Sequence, residues 1–160
     1  MDKEAFISGV LAKANELFKC SIGIPPVRLV PLDLRSENIP FVSIHVPAYK
    51  EQPHVLAETL RALSRLKYPN YEVLVIINNT PEEYYWKPIE KLCEELGDKF
   101  VFMNITCTGF KAGALNAALE QTNKEAEIIA VIDADYVVES PWLIDLVPLF
   151  DDPKVAIVQA

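Results

Sequence analysis

Residues 128–138, IIAVIDADYVV, decide the fold: five apolar residues in a row, then Asp133 and Asp135 separated by one alanine, then apolar residues again. A short run of isoleucine, alanine and valine reads as a strand buried on both faces, the habit of parallel sheets covered by helices. The acidic pair then falls where such a strand surfaces. Working outward, the same unit recurs along the chain. Residues 42–46, 72–77 (EVLVII), 100–105, 128–132 and 155–158 predict strands, and 54–66, 84–96, 112–120 and 142–150 predict helices. This alternation implies an α/β fold, a mainly parallel sheet with helices on both faces. In open sheets of this kind ligands bind beyond the C-terminal ends of the strands. The loops PAYKEQP, NNTPEE, TCTGFKAG and DADY all follow strands and converge on that edge.

The chain has 160 residues, about one ordinary domain, and is 51% hydrophobic and 24% charged, a globular composition without low-complexity segments. Its net charge of −8 supplies no long-range attraction for polyanions, which argues against nucleic acid as a partner. An anionic ligand therefore needs a metal ion, a lysine or backbone amides at its site. Cys20, Cys93 and Cys107 are odd in number and lack CxxC spacing, so idle or buried thiols in a reducing compartment are expected rather than disulfides or zinc. No apolar run reaches the ~18 residues of a membrane helix, and Asp2 and Glu4 do not fit a signal peptide. Two segments are expected: residues 1–40, an amphipathic helix over 2–19 followed by a linker with Pro25, Pro26, Pro31 and Pro40, and residues 41–160, the α/β part. Because the sequence stops on the strand read at 155–158, a longer parent protein is expected. Apolar surface exposed by such a truncated sheet would favour self-association.

Within the α/β part, Asp133 and Asp135, two apart in extended chain, point the same way and repel unless a cation lies near. Mg²⁺ or Mn²⁺, hard ions bound by oxygen, would relieve the repulsion; a solvated acidic turn is the other reading. TGFKAGALNAAL runs from a loop into a helix holding Ala112, Leu115, Ala118 and Leu119. There Gly109 and Gly113 permit close backbone approach, the helix N-terminus offers amides and Lys111 a cation, an arrangement suited to phosphate. Neither a GxxxxGKS/T loop nor a GxGxxG fingerprint is present. Pro47, Ala48, Tyr49 and Glu51 form either a ligand loop, with a ring to stack on a base and a carboxylate to accept from ribose, or a capping turn. Asn78 and Asn79 carry the same ambiguity. His45, inside a strand, reads as a satisfied core histidine.

Taken together, VSIHVPAYKE, EVLVIINNT, FKAGALNAAL, VIDADYVVESPWL and KVAIVQA resemble family 2 inverting glycosyltransferases of the GT-A fold, especially the processive β-glucan, cellulose and curdlan synthase-like branch. The resemblance covers roughly residues 41–160. It implies a Rossmann-like nucleotide-binding part of a GT-A domain and a UDP-sugar donor, UDP-glucose by the branch. It places Tyr49 and Glu51 on the uridine loop, Lys111 on the diphosphate side, and Asp133 and Asp135 on a metal-binding DxD motif, with Asp135 the direct metal ligand and Asp133 serving metal or ribose. Pro47, Ala48, Asn78, Asn79 and Gly113 complete the expected nucleotide-sugar site. Ile77 stands where the family has an aspartate closing its second strand, so Asn78 is left as a neutral substitute. The family's catalytic base and its QxxRW motif are expected beyond Ala160, so this span alone is expected to be inactive, with the glucan acceptor engaged by that missing part. The parent is expected at the cytoplasmic face of the cell membrane, anchored by segments absent from this chain.

Two other classes fit parts of the pattern. VIDADYV also matches the DxDx(T/V) strand end of haloacid-dehalogenase-type phosphatases, in which Asp133 would be the nucleophile and Asp135 the general acid. Ile77 favours instead a non-catalytic or degenerate interaction module.

Overall fold

The computed structural model describes residues 39–159. The helix and linker expected over residues 1–38, and Cys20 with them, lie outside the described residues. The described chain runs β1 (Phe41–Ala48), α1 (Pro53–Leu63), β2 (Tyr71–Asn78), α2 (Glu83–Leu96), β3 (Phe100–Ile105), α3 (Phe110–Gln121), β4 (Ala126–Val131) and α4 (Trp142–Leu146), followed by a 3₁₀ turn at Val147–Asp151. The predicted strands and helices up to β4 are all present, with no end moved by more than three residues and β3 unmoved. The helix predicted over 142–150 is split, because Pro148 cannot donate its backbone N–H and the chain tightens to a 3₁₀ turn.

The four strands form one parallel sheet in the order β3-β2-β1-β4. Right-handed crossovers explain where the helices go. The steps from β1 to β2 and from β2 to β3 move the same way along the sheet, so α1 and α2 share one face and pack on each other. The step from β3 to β4 reverses, which puts α3 on the opposite face, over β2 and β1. There Ala114 and Ala118, both fully buried, let the helix backbone lie close to Leu74 and Ile76, with Met103, Ile105 and Cys107 around them. Ala112, in the first turn of the helix, is exposed.

Burial follows strand position. Val73 to Ile77 in β2 are buried on both faces, as are Val42 to Ala48 in β1. The opening stretch behaves otherwise: β4 is an edge strand in the described sheet, its burial alternates, and Ile129 and Val131 are 36% and 47% exposed. They lie in register with Ser43 and His45, on the face that α3 covers only over β1 and β2. The expectation that IIAVI is buried on both sides is therefore corrected, as is the strand at 155–158. Those residues adopt no regular structure, and Ala156 and Ile157 are exposed.

His45 is the buried polar centre of the sheet. Its Nε2 lies 3.1 Å from Ser43 Oγ and 3.0 Å from Thr122 Oγ1, tying β1 to the C-cap of α3. Burial lowers its pKa to about 4, so it is neutral at pH 7. Cys93 is buried in α2 and its thiol is pushed up to about 12 by the same desolvation. Both match the structural roles expected for them.

Candidate functional site

The strand order reverses at β1. β2 lies on one side of it and β4, reached only after β3, on the other, and the crevice beyond the C-terminal ends of β1 and β4 is the place where such sheets hold ligands. A cavity of about 260 Å³ lies there, lined by Pro47, Ala48, Tyr49, Glu51, Asn78, Lys111, Asp133, Ala134 and Asp135. Eight of the ten residues singled out from the sequence are thus brought together. Asn79 and Gly113 are not among the lining residues. Ala134 is the lining residue that the sequence reading passed over.

Each loop is shaped by its own residues. After β1, Pro53 opens α1, where a missing N–H costs nothing. Ahead of it Lys50 turns the chain with φ +50°, leaving Tyr49 58% exposed at the cavity. Glu51 Oε1 accepts the amide of Gln52 at 3.3 Å while lining the cavity, and Gln52, the N-cap of α1, makes no side-chain capping bond. After β4, Asp133 and Asp135 do not continue the strand as expected. The chain turns, the amide of Tyr136 donating to the Asp133 carbonyl at 3.1 Å. Ala134 is buried at the centre of that turn, its carbonyl accepting the Thr59 hydroxyl at 2.8 Å, which leaves the carboxylates on either side exposed. Thr59, fully buried on α1, holds the acidic turn, and one threonine on an apolar helix face was the available signal for it.

Lys111 crosses from the start of α3 to pair with Asp133 Oδ1, so a cation already balances one of the two carboxylates. Asp135 has no ion-pair partner among the described residues. No group of three or more metal-ligating side chains occurs among the described residues. Two exposed carboxylates on a fixed turn nevertheless suit Mg²⁺ or Mn²⁺, which typically take one or two protein carboxylates and complete their shell with water and phosphate oxygens. Softer metals would need the nitrogen or sulfur donors that this site lacks.

Side-chain bonds link all four loops. Lys50 N donates to Thr80 Oγ1 at 3.1 Å, and Lys50 Nζ pairs with Glu82 at 2.8 Å. Asn79 exchanges two hydrogen bonds with the Cys107 backbone, at 2.8 and 3.0 Å, which extends the pairing of β2 and β3 by one side chain. Gly113, expected to meet a ligand, instead meets its own loop: a Cβ there would lie 1.8 Å from the Thr108 carbonyl oxygen. Among the described residues the three non-glycine positions with positive φ are Lys50, Asn79 and Phe110, and all sit at this edge. Such strain collects where a site over-determines its backbone.

An open α/β sheet with its cavity at the strand reversal defines the GT-A-like architecture. The same fold occurs in the mannosyltransferase PcManGT from Pyrobaculum calidifontis, solved with GDP-Man and Mn²⁺; the match has a TM-score of 0.65 at 23% identity and covers 94% of this chain and 42% of that one. Residues 43–160 match the model of glycosyl transferase family 2, and the chain belongs to that family. A beta-monoglucosyldiacylglycerol synthase from Trichormus variabilis is 41% identical over 126 residues, which is 76% of this chain and 26% of that protein. A probable glucomannan 4-beta-mannosyltransferase from Oryza sativa is 33% identical over 128 residues, 76% of this chain and 22% of that protein. The chain thus spans about a quarter of the length of these curated relatives. Among the described residues no helix is long and apolar enough to cross a membrane.

Proposed function

We propose that this span is the donor-binding half of a family 2 glycosyltransferase that holds UDP-glucose with Mg²⁺ or Mn²⁺ for inverting transfer to a growing β-glucan. The observation that carries the reading is the cavity at the strand reversal, where an aromatic ring, a carboxylate, a lysine and a paired-aspartate turn meet. In it Tyr49 stacks on the base and Glu51 accepts from uridine, with Pro47 and Ala48 as the floor. Lys111 and the α3 amides take the diphosphate. Asp133 and Asp135 hold the ion, Asp135 directly and Asp133 shared with Lys111 or ribose. Gly113 contributes by seating the loop that carries Lys111. A divalent ion there would neutralise charge developing on the departing UDP. The catalytic base and the acceptor site belong to sequence beyond Ala160, and the parent is membrane-associated on its cytoplasmic side.

A second reading concerns the acceptor. The 41% relative is named for a glucosyldiacylglycerol product, which favours a diacylglycerol acceptor over glucan, with the same donor half. Titration of UDP and UDP-glucose into the chain with and without Mn²⁺ tests the donor site. Binding is expected to require the metal and to be lost in Asp135→Ala. Metal-independent binding, or no binding in either condition, would sink the proposal and favour a non-catalytic module.

A further inference from the structure

The geometry points to Asn78 as a positioning residue that holds the Phe110 backbone in a left-handed conformation and so aims Lys111, rather than as a ligand contact. This rests on the donor-site reading for its consequence and on the hydrogen bonds alone for its structure. Asn78 closes β2, is 4% exposed, and has both ends of its amide engaged. Its Nδ2 donates to the Phe110 carbonyl at 3.1 Å, and its Oδ1 faces the Cys107 thiol at 3.2 Å. Phe110 has φ +52°, a region costly for a bulky side chain, and its ring is 83% exposed, so burial of the ring does not compensate. Gly109 just before it is also left-handed, with φ +89°. Two such residues in succession set the angle at which α3 begins, and the next residue is Lys111, whose ammonium must reach Asp133 across the crevice. Among the described residues the bond from Asn78 is the one side-chain hydrogen bond to the strained residue itself. Beside it, Asn79 grips Cys107 and Gly113 seats Thr108, so the loop is held on both flanks.

This arrangement has a signature that direct ligand contact does not. Glycine adopts φ near +50° without strain, so F110G should make Asn78 dispensable. N78A is expected to weaken Mn²⁺-dependent UDP binding about tenfold and to speed hydrogen exchange of the Gly113 amide, which closes the first turn of α3 on the Gly109 carbonyl at 3.2 Å. Both losses should shrink to within about threefold when F110G is present. N78D, which keeps the shape but turns a carboxylate oxygen toward the Phe110 carbonyl, should behave like N78A and gives the same cycle should N78A fold poorly. A double variant as impaired as N78A, or an N78A that leaves Gly113 exchange unchanged, overturns the inference. If wild type binds no UDP, the donor reading falls while the exchange cycle still decides the role of Asn78.

Discussion

Replacing Gly113 with alanine sets two effects of opposite sign against each other, and the geometry decides between them. Gly113 lies inside α3, where alanine is ordinarily better than glycine by about 1 kcal/mol. The added Cβ, however, would stand 1.8 Å from the Thr108 carbonyl oxygen, 2.9 Å from its carbon and 3.1 Å from Cys107 Sγ, where real Cβ contacts essentially never fall below 3.0 Å. The obstacle is backbone, fixed through Cys107 to Asn79, so the loop must open by more than an ångström or the helix must lift from Leu74 and Ile76. Forced shifts of that kind cost about 1–3 kcal/mol and occasionally more. Taking the upper part of that range against the propensity gain, the net loss is about 2 kcal/mol, close to thirtyfold in the folding equilibrium. Urea unfolding followed by far-UV circular dichroism measures it as a lower midpoint at constant slope. A midpoint equal to or above that of the wild type would show that the loop yields freely, and with it the claim that Gly113 seats the Lys111 loop would go.

Two further outcomes follow from buried polar groups. Thr59→Val removes the hydroxyl that donates to the Ala134 carbonyl and leaves that oxygen buried, so thermal unfolding should show a loss of about 1–2 kcal/mol; an unchanged midpoint would mean that the acidic turn stands without α1. His45 binds its proton at about 4 in the folded chain and near 6.5 when unfolded, because burial disfavours the charged ring. Its stabilising contribution is therefore complete above pH 6.5 and falls as pH drops toward 4, by roughly 3 kcal/mol at about 1.4 kcal/mol per pH unit. Urea titrations between pH 7 and 4.5 should show a steeper decline in wild type than in His45→Gln, and parallel curves would remove His45 as the cause.

The strands from β1 to β3 were legible because EVLVII and its neighbours state burial and length locally. Which strand is central and which lies at the edge is decided by order in the sheet, and no local pattern carries that. Hence IIAVI, as apolar as VLVII, was read as buried on both faces although β4 exposes Ile129 and Val131. Residues 155–158 show the same limit, since their apolar run carries no ladder in the structure. Lys111, Asp133 and Asp135 could be named because their chemistry is stated by residue type, and all three fall within the span that matches glycosyl transferase family 2. Their shared turn was not legible: i and i+2 spacing implied an extended chain, whereas the Tyr136 amide closes a turn on Asp133. Gly113 was legible as a point of close approach, but whether a glycine meets a ligand or its own chain depends on the path of a loop four residues long, 106–109. Nothing in the sequence marks Phe110 as left-handed, because phenylalanine has no preference for that region and the bond that holds it there comes from a residue 32 positions away.

The strand order also has a temporal meaning. β1 is formed early in the chain, yet one of its two neighbours, β4, begins only at Ala126. A nascent chain emerging from the ribosome therefore carries β1 with one edge unpaired while some eighty residues are added. Pairings this distant in sequence form slowly, and open edges in the meantime invite pairing with other chains. Because the crevice is bounded by the ends of β1 and β4, it comes into being with the last of the four strands to be synthesised. Chaperone dependence during synthesis, and recovery of the chain in soluble form, should accordingly be governed by how fast residues 126–131 reach β1, more than by the intrinsic stability of the finished sheet.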